Sequence, residues 1–363
     1  MRVFVRVVAS LAILGVSAMA MMAFRLFGDD FFPAYRDWSK AVEGALAAAA
    51  SLSPVAVWDW AAVALALWAV VSLVRDARRH HLGRWVSGVL LVASVLAGTF
   101  VTGWGLNHYA PPLADELGLK VTQYSEDQLA DAMAYYLDQA ATRAPQVPRD
   151  ANGHLARQDF QELARMAGSS YVGLADKYAI FAGSTVPVKE LVLFGEPLLA
   201  SGHTGMFFSP TGESTVPANV AIAEEPFTMC HEAAHRLGLA RENEANFAAF
   251  LACTEGAASA DVRFSYAGYY NAFCYCLNAL WSVDSDRAQQ IVTDAAVGEH
   301  GEGVRLVVAD RNDTIDHYQA YKGEFQKVGR TVNDTYLKSF GNSTGIRSYG
   351  LVVDYLIAWH QRM

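Results

Sequence analysis

The sequence carries little charge for its length and lacks the basic excess of a nucleic-acid-binding protein. Only 18% of its 363 residues are Asp, Glu, Lys or Arg, and acidic residues outnumber basic ones to give a net charge of −9. A negative chain lacks the basic surface that binds a phosphate backbone, so we expect no nucleic-acid partner. Hydrophobic residues instead make up 53% of the chain, which is high for a soluble protein. The composition therefore predicts a membrane portion.

Cysteine is also scarce, and the sequence has no internal repeat, which excludes a solenoid or repeat array. The four cysteines are Cys230, Cys253, Cys274 and Cys276. Their pairing cannot be read from the sequence. Cys274 and Cys276 lie two residues apart on a presumed helix, too close to bond each other without distortion. Free thiols are therefore favoured at least as much as disulfides for these two.

Three long runs with almost no charge lie in the first 106 residues. They cover residues 7–24, 54–74 and 85–106, and Asp59 is the one charged residue within them. Each run is long enough to cross the roughly 30 Å hydrocarbon core as a helix. Tryptophans near the ends of the second and third runs suit the membrane–water interface. We therefore predict an α-helical membrane anchor of three transmembrane helices in a domain of residues 1–106, with the lipid bilayer as a partner.

The arginines predict how these helices are oriented. Residues 75–84, between the second and third runs, contain four arginines, and the positive-inside rule places such a short loop in the cytoplasm. Arg2 and Arg6 then start inside, residues 25–53 form an outer loop, and everything after the third helix lies outside. A cleaved secretory signal is the alternative for the first run, but its apolar stretch exceeds the usual signal core, which favours an uncleaved helix.

Residues 107–363 form the second predicted domain, mainly α with one small β element. Apolar residues recur at helical spacing in 125–143 and 155–178, whereas short apolar runs broken by Gly and Pro in 186–222 indicate a small sheet or hairpin. Within this region, 216–222 is either an edge strand that could pair with a peptide or a strand that packs the core. Residues 264–283 lack charge, but their Tyr, Ser and Asn side chains favour a buried helix over a fourth membrane span.

A metal-binding pattern lies at the start of the helical part of this domain. His231 and His235 are four residues apart, so on a helix both imidazoles project from one face and can share one Zn²⁺ ion. Glu232 lies beside them and can take a proton from a zinc-activated water. A chance match on a surface helix is the alternative. The residues that follow argue against it, because they offer the third ligand that a catalytic zinc needs.

The continuation resembles the E-x-x-A-D/N segment of gluzincin-type peptidases. Gly238 can end the first helix, and a second can start near residue 241. The resemblance implies that Glu242 is the third metal ligand and that Asn246 hydrogen-bonds a ligand histidine. Because the interval after His235 is short for a gluzincin, Glu244 remains the alternative ligand. A metzincin pattern is disfavoured, since its last position is Arg241, which cannot bind a metal.

The chain as a whole resembles the bacterial membrane protein family catalogued as domain of unknown function 3810. The matching segments are residues 104–109 (WGLNHY), 204–208 (TGMFF), 211–213 (TGE), 242–253 and 345–350 (GIRSYG). The resemblance implies a multi-pass protein of the bacterial cell membrane with a zincin-like, zinc-peptidase-like site in its extracytoplasmic domain. It does not imply a substrate.

These observations predict a membrane-anchored zinc metallopeptidase that hydrolyses peptide bonds of a peptide or protein substrate, with Glu232 as general base. The alternative is a non-catalytic, membrane-anchored module that binds zinc or a peptide. Glu232 favours the enzyme, since metal binding alone does not require it. An intramembrane protease is disfavoured by the charged residues around the motif. Three residues are candidates for stabilising the oxyanion of the transition state: His203, Arg347 and Tyr349.

Overall fold

The computed structural model describes residues 2–340 and 351–363, and it is mostly helical with one small sheet. Its strands are β1 (Lys189–Leu191), β2 (Met206–Phe208) and β3 (Glu213–Pro217). Its helices are α1 (Arg2–Ala50), α2 (Val57–Arg78), α3 (Leu82–Gly103), α4 (Leu113–Glu116), α5 (Glu126–Arg143), α6 (Phe160–Ser169), α7 (Leu174–Lys177), α8 (Gly195–Ala200), α9 (Glu225–Arg236), α10 (Glu242–Thr254), α11 (Val262–Val283), α12 (Ser285–Ala295), α13 (Gly301–Gln319), α14 (Glu324–Ser339) and α15 (Val352–His360). The predicted mainly helical fold with a small β element ahead of the key helix is confirmed.

Three helical segments are long and apolar enough to cross a membrane. They are Arg2–Gly28, Val57–Arg78 and Leu82–Gly103, with mean hydropathies of 2.2, 1.9 and 1.9. Between 11% and 22% of their most apolar windows is buried within the protein, so most of this apolar surface is free to face lipid. The three predicted spans are therefore present as helices, consistent with association with a membrane.

Helix α1 continues well beyond its apolar segment, so most of the predicted outer connection at residues 25–53 is helical and not a loop. The helix bends at Phe27, where φ is −136° and ψ is 27°, and then runs on to Ala50. Its second half packs on the rest of the protein: the Lys40 ammonium donates to the carbonyl of Ala182 at 3.0 Å, and Arg36 pairs with Glu116 at 2.6 Å. Alanines at its end, strong helix formers, favour this continuation.

The sheet has the order β1–β3–β2, with β1 parallel and β2 antiparallel to β3. All five residues of β3 are buried, and β3 pairs on both sides. Val216 is opposite Glu190 of β1, and Thr215 is opposite Met206 of β2. Of the two alternatives for 216–222, the edge strand is therefore excluded: Val216 and Pro217 belong to the central, buried β3, and residues 218–222 form no strand. The polar side chains of Ser214 and Thr215 in β3 are also buried, and each has a hydrogen-bond partner.

Two further helix predictions are resolved by the structure. The single helix expected over 155–178 is divided into α6 and α7, because Gly173 adopts a left-handed φ of 88° between them. Residues 264–283 belong to α11, a core helix: Phe264 and Tyr270 are at most 1% exposed, and the Tyr270 hydroxyl donates to Thr314 at 3.0 Å. The fourth membrane span is thereby excluded. All four cysteines are free thiols.

Candidate metal centre

Helices α9 and α10 carry the metal-binding pattern, and short-range rules explain their ends. Pro226 lies in the first turn of α9, where its missing N–H costs nothing. Gly238, with φ of 88°, lets the chain turn after the helix. Arg241 is the N-cap of α10, whose first residue is Glu242. The helix break at Gly238 and the restart near residue 241 are confirmed.

The turn between the two helices brings Glu242 onto the two histidines. The Nε2 atoms of His231 and His235 lie 3.0 Å apart. Oε2 of Glu242 is 3.2 Å from the first Nε2 and 3.7 Å from the second. In a tetrahedral zinc site with Zn–N bonds of about 2.0–2.1 Å, the ligand nitrogens are about 3.3 Å apart. The spacing and the donor types therefore fit one metal ion, and the three residues could hold it.

Glu244, the alternative ligand, forms hydrogen bonds with residues outside the metal group. Its side chain is 4% exposed, and Oε1 accepts hydrogen bonds from the Leu113 backbone N–H at 2.9 Å, from Arg241 at 2.9 Å and from the Tyr355 hydroxyl at 3.2 Å. A carboxylate with three donors has little freedom to move towards a metal. Of the two candidate carboxylates, the structure brings Glu242 and not Glu244 to the histidines.

The hydrogen bonds around the histidines differ in part from those expected. Nδ1 of His235 donates to the carbonyl of Leu239 at 2.7 Å, which turns Nε2 towards the cluster. Nδ1 of His231 and Nδ2 of Asn246 are both buried without a partner. The predicted hydrogen bond from Asn246 to a ligand histidine does not form among the described residues, because the Leu239 carbonyl takes its place at His235.

Glu232 projects into a tightly enclosed space beside the cluster. The residue is 4% exposed, and its Oε2 atom has no hydrogen-bond partner. Gly205, just before β2, packs directly on the carboxylate, since a Cβ there would lie 2.4 Å from Glu232 Oε1. Burial raises the pKa of Glu232 to about 7, against the opposing influence of His231 and His235. The structure thus holds a carboxylate with an unused oxygen beside the three potential ligands.

The charges of the cluster stabilise one another. Burial opposes ionisation of Glu242, but hydrogen bonds from His231 and His235 outweigh it and hold the pKa of this carboxyl far below its usual range. Burial likewise lowers the pKa of His235, and the hydrogen bond and charge of Glu242 reverse this and raise it to about 9. Glu242 therefore supplies the negative charge of the cluster, and a bound metal ion would take the place of the proton on His235, because a ligand imidazole is neutral.

Sequence reasoning missed two residues next to this cluster, His108 and Tyr336. His108 lies in the 3₁₀ segment Gly105–Tyr109, and its Nε2 is 2.8 Å from the Tyr336 hydroxyl of α14. Burial lowers the pKa of His108 to about 3, and the charge of Glu242 is the next influence on it. Burial and the same carboxylate raise the pKa of Tyr336. The signal that could have found His108 is its place in the WGLNHY segment at residues 104–109.

The oxyanion candidates have different outcomes. Burial lowers the pKa of His203, and the charge of Glu242 opposes this lowering. The His203 Nδ1 is 2.8 Å from the Ser201 hydroxyl. Arg347 and Tyr349 lie outside the described residues, as does the whole of the 345–350 segment.

A family model described as "Protein of unknown function (DUF3810)" matches residues 36–357. No curated protein and no solved structure matches the chain. The match spans the second half of α1, helices α2 and α3, and the whole candidate centre. The chemistry of the site must therefore be argued from its own residues.

Proposed function

We propose a function from the site itself, since the chain belongs to the DUF3810 family, whose function is unknown. The protein is a zinc metallopeptidase anchored in the bacterial cell membrane. The observation that carries the proposal is the convergence of His231, His235 and Glu242 within 4.8 Å, with the unpartnered carboxylate of Glu232 beside them. Two neutral imidazoles and one carboxylate are a common ligand set of catalytic zinc, which keeps a fourth position open.

Each residue has a separate task in the proposed reaction. His231, His235 and Glu242 would hold the ion, and the Leu239 carbonyl orients the His235 ring. Zinc, when bound, polarises a carbonyl and makes a water molecule more acidic. Glu232 takes the proton of the attacking water at Oε2 and passes it to the leaving amine. The Tyr336 hydroxyl is oriented by His108 and feels the charge of Glu242, and in this proposal it contacts the substrate carbonyl.

The location of the domain follows from the arginines between α2 and α3. Arg75, Arg78, Arg79 and Arg84 surround a short turn at the end of α2, and the positive-inside rule assigns this turn to the cytoplasm. Gly103, at the opposite end of α3, then faces the outside together with the metal centre. The proposal therefore places peptide hydrolysis on the outer side of the membrane.

Glu232→Gln tests the proposed mechanism. The substitution keeps size and hydrogen-bonding shape but removes the base, so zinc content and thermal unfolding should stay near those of the wild type. Cleavage of a peptide library, measured by mass spectrometry of the released fragments, should fall about a hundredfold or more, as expected when a positioned general base is lost.

The controls separate the enzyme from a binding module. Wild-type protein treated with a chelator should lose the same cleavages and regain them with zinc. Wild-type turnover in Glu232→Gln would eliminate the mechanism. If zinc-loaded wild type cleaves nothing in the library, the protein is a zinc- or peptide-binding module and the peptidase proposal is wrong.

A further inference from the structure

The metal centre is joined directly to the outer end of membrane helix α3. Trp104, the first residue after α3, donates its indole N–H to the backbone carbonyl of His235 at 2.7 Å. Its ring lies 6.0 Å from the His235 ring and 5.4 Å from that of Phe207 in β2. The polar headgroup layer adds only about 5–7 Å beyond each face of the hydrocarbon core. A ligand histidine therefore lies at the level where the membrane ends.

Membrane helix α2 is joined to the sheet in the same way. The Glu213 carboxylate of β3 accepts hydrogen bonds from the first backbone N–H groups of α2, at Val57 (2.8 Å) and Trp58 (3.0 Å). The next residue of β3, Ser214, donates to the backbone carbonyl of Glu232 at 2.7 Å. Only two adjacent residues thus separate the start of a membrane helix from the proposed base. Two independent connections hold the centre against the membrane surface.

Exposed apolar side chains lie on two elements that contact the candidate membrane helices, the loop bonded to the start of α2 and helix α14. Asp59, in the first turn of α2, accepts backbone N–H bonds from residues 192–194, of which Val192 is 51% exposed and Leu193 38%. Helix α8 follows this loop, and α14 packs on the end of α8. The contact is so close that a Cβ added to Gly329 of α14 would lie 2.3 Å from the carbonyl oxygen of Ser201. Helix α14 in turn exposes three apolar side chains at helical spacing: Phe325, Val328 and Val332.

Helix α14 also reaches the membrane end of α3. The rings of Tyr336 and Phe340 lie 6.0 Å and 6.1 Å from that of Phe100, which is within the membrane-spanning segment. Because Tyr336 also contacts His108 beside the metal ligands, α14 extends between the membrane boundary and the centre. We call the loop at 192–193 and the outer residues 325, 328 and 332 of α14 the apolar rim. Its exposed side chains would be stabilised by contact with lipid.

We infer that the substrates are polypeptide segments lying at the membrane surface, within a few residues of a membrane-spanning helix, and that the apolar rim contacts lipid. The inference rests on the proposed peptidase function and names its substrate class. A fixed centre at headgroup level can reach the first residues that leave the bilayer. A segment held far above the membrane would have to return to this surface before it could bind.

A pair of membrane-anchored peptide libraries tests the substrate class. In one, a random segment of about ten residues directly follows a membrane-spanning helix; in the other, a Gly/Ser linker of about thirty residues, with a root-mean-square length of about 30 Å, separates them. Both are reconstituted with the full-length protein and zinc, and Glu232→Gln serves as the blank. We expect at least about tenfold more cleavage of the first library, because its segments are confined to the level of the site.

The outcomes are distinct for the two proposals. Equal or greater cleavage in the linker library overturns the substrate class but leaves the peptidase intact. No zinc-dependent cleavage in either library overturns the peptidase and the substrate class together.

Lipid contact of the apolar rim is measured independently of activity. An environment-sensitive fluorophore on Val328→Cys or Val192→Cys should be quenched by brominated lipid in vesicles. Val297→Cys is the control, since Val297 is 86% exposed between α12 and α13, which pack on α5. Unaltered protein reports background labelling of the four native thiols. If the fluorophores at positions 328 and 192 are quenched no more than the one at 297, the apolar rim does not contact lipid. This result is independent of whether the protein is an enzyme.

Discussion

At the residue scale, the centre depends on which of two nearby carboxylates is free to bind. Glu242 and Glu244 lie two residues apart in the first turn of α10, about 200° apart around the helix, so they face opposite sides. Glu242 meets the histidines, whereas Glu244 meets Leu113, Arg241 and Tyr355. The same residue type therefore serves as a potential ligand at one position and as a structural anion at the other.

Metal analysis of single variants tests this division of roles. Wild-type protein should contain about one zinc per chain, and His231→Ala, His235→Ala and Glu242→Ala should each lose most of it. Glu244→Ala should retain zinc but lower the free energy of unfolding by about 1–3 kcal/mol, because buried donors lose their acceptor. The measurements are elemental analysis and denaturant unfolding. Loss of zinc in Glu244→Ala with retention in Glu242→Ala would reverse the assignment.

At the scale of elements, α9 is held on two sides by residues connected to the candidate membrane helices: Trp104 directly follows α3, and β3 is hydrogen-bonded to the start of α2. Trp104 binds the carbonyl of His235 near one end of the helix, and Ser214 of β3 binds the carbonyl of Glu232 one turn earlier. These bonds position the backbone of a ligand and of the proposed base. The anchor is thus part of the support of the centre and not merely a tether.

Trp104→Phe measures this support. The variant keeps an aromatic ring but removes the indole N–H, so the His235 carbonyl loses a buried partner. We expect zinc affinity to fall about tenfold, at the lower end of the effect of supporting residues around metal sites. Trp58→Phe in α2 is the matched control. This variant also loses an indole hydrogen bond, but to the Thr215 hydroxyl (3.3 Å) and not to the backbone of a ligand histidine. Competition with a fluorescent zinc chelator should show a change in the first variant only; equal changes would contradict a specific role for Trp104.

At the scale of the whole molecule, the proposed orientation depends on three membrane crossings, for which three helices are long and apolar enough, and on the burial of α11. Helix α11 is enclosed by the core, so it adds no crossing. An odd number of crossings places the two termini on opposite sides. In the proposed orientation, the arginines at residues 75–84 mark the cytoplasmic side.

Reporter fusions test this orientation. A phosphatase that is active only outside the cytoplasm should be active after Met363 and inactive after Gly83, and a cytoplasm-dependent fluorescent protein should show the reverse. The two reporters control for each other, since a poorly expressed fusion would be silent in both. A cytoplasmic reporter signal after Met363 would mean that the centre faces the cytoplasm and that the proposed location is wrong.

Several features were determined by the sequence alone because they depend on local interactions. The apolar runs predict three long helices, since an isolated segment of that composition can only satisfy its backbone as a helix in lipid. The four-residue spacing of His231 and His235 places them on one helical face. Gly238 marks the end of that helix, because a left-handed turn there favours glycine.

Other features were decided only by tertiary structure, because they join residues far apart in the chain. Glu244 is excluded from the metal group by Leu113 and Tyr355, which lie 131 and 111 residues away. Tyr336 reaches His108 across 228 residues, and Trp104 reaches His235 across 131. Residue spacing along one helix cannot encode such contacts, since they exist only after the helices have packed. The position of the centre beside the start of α2 and the end of α3 therefore became visible only in the folded chain.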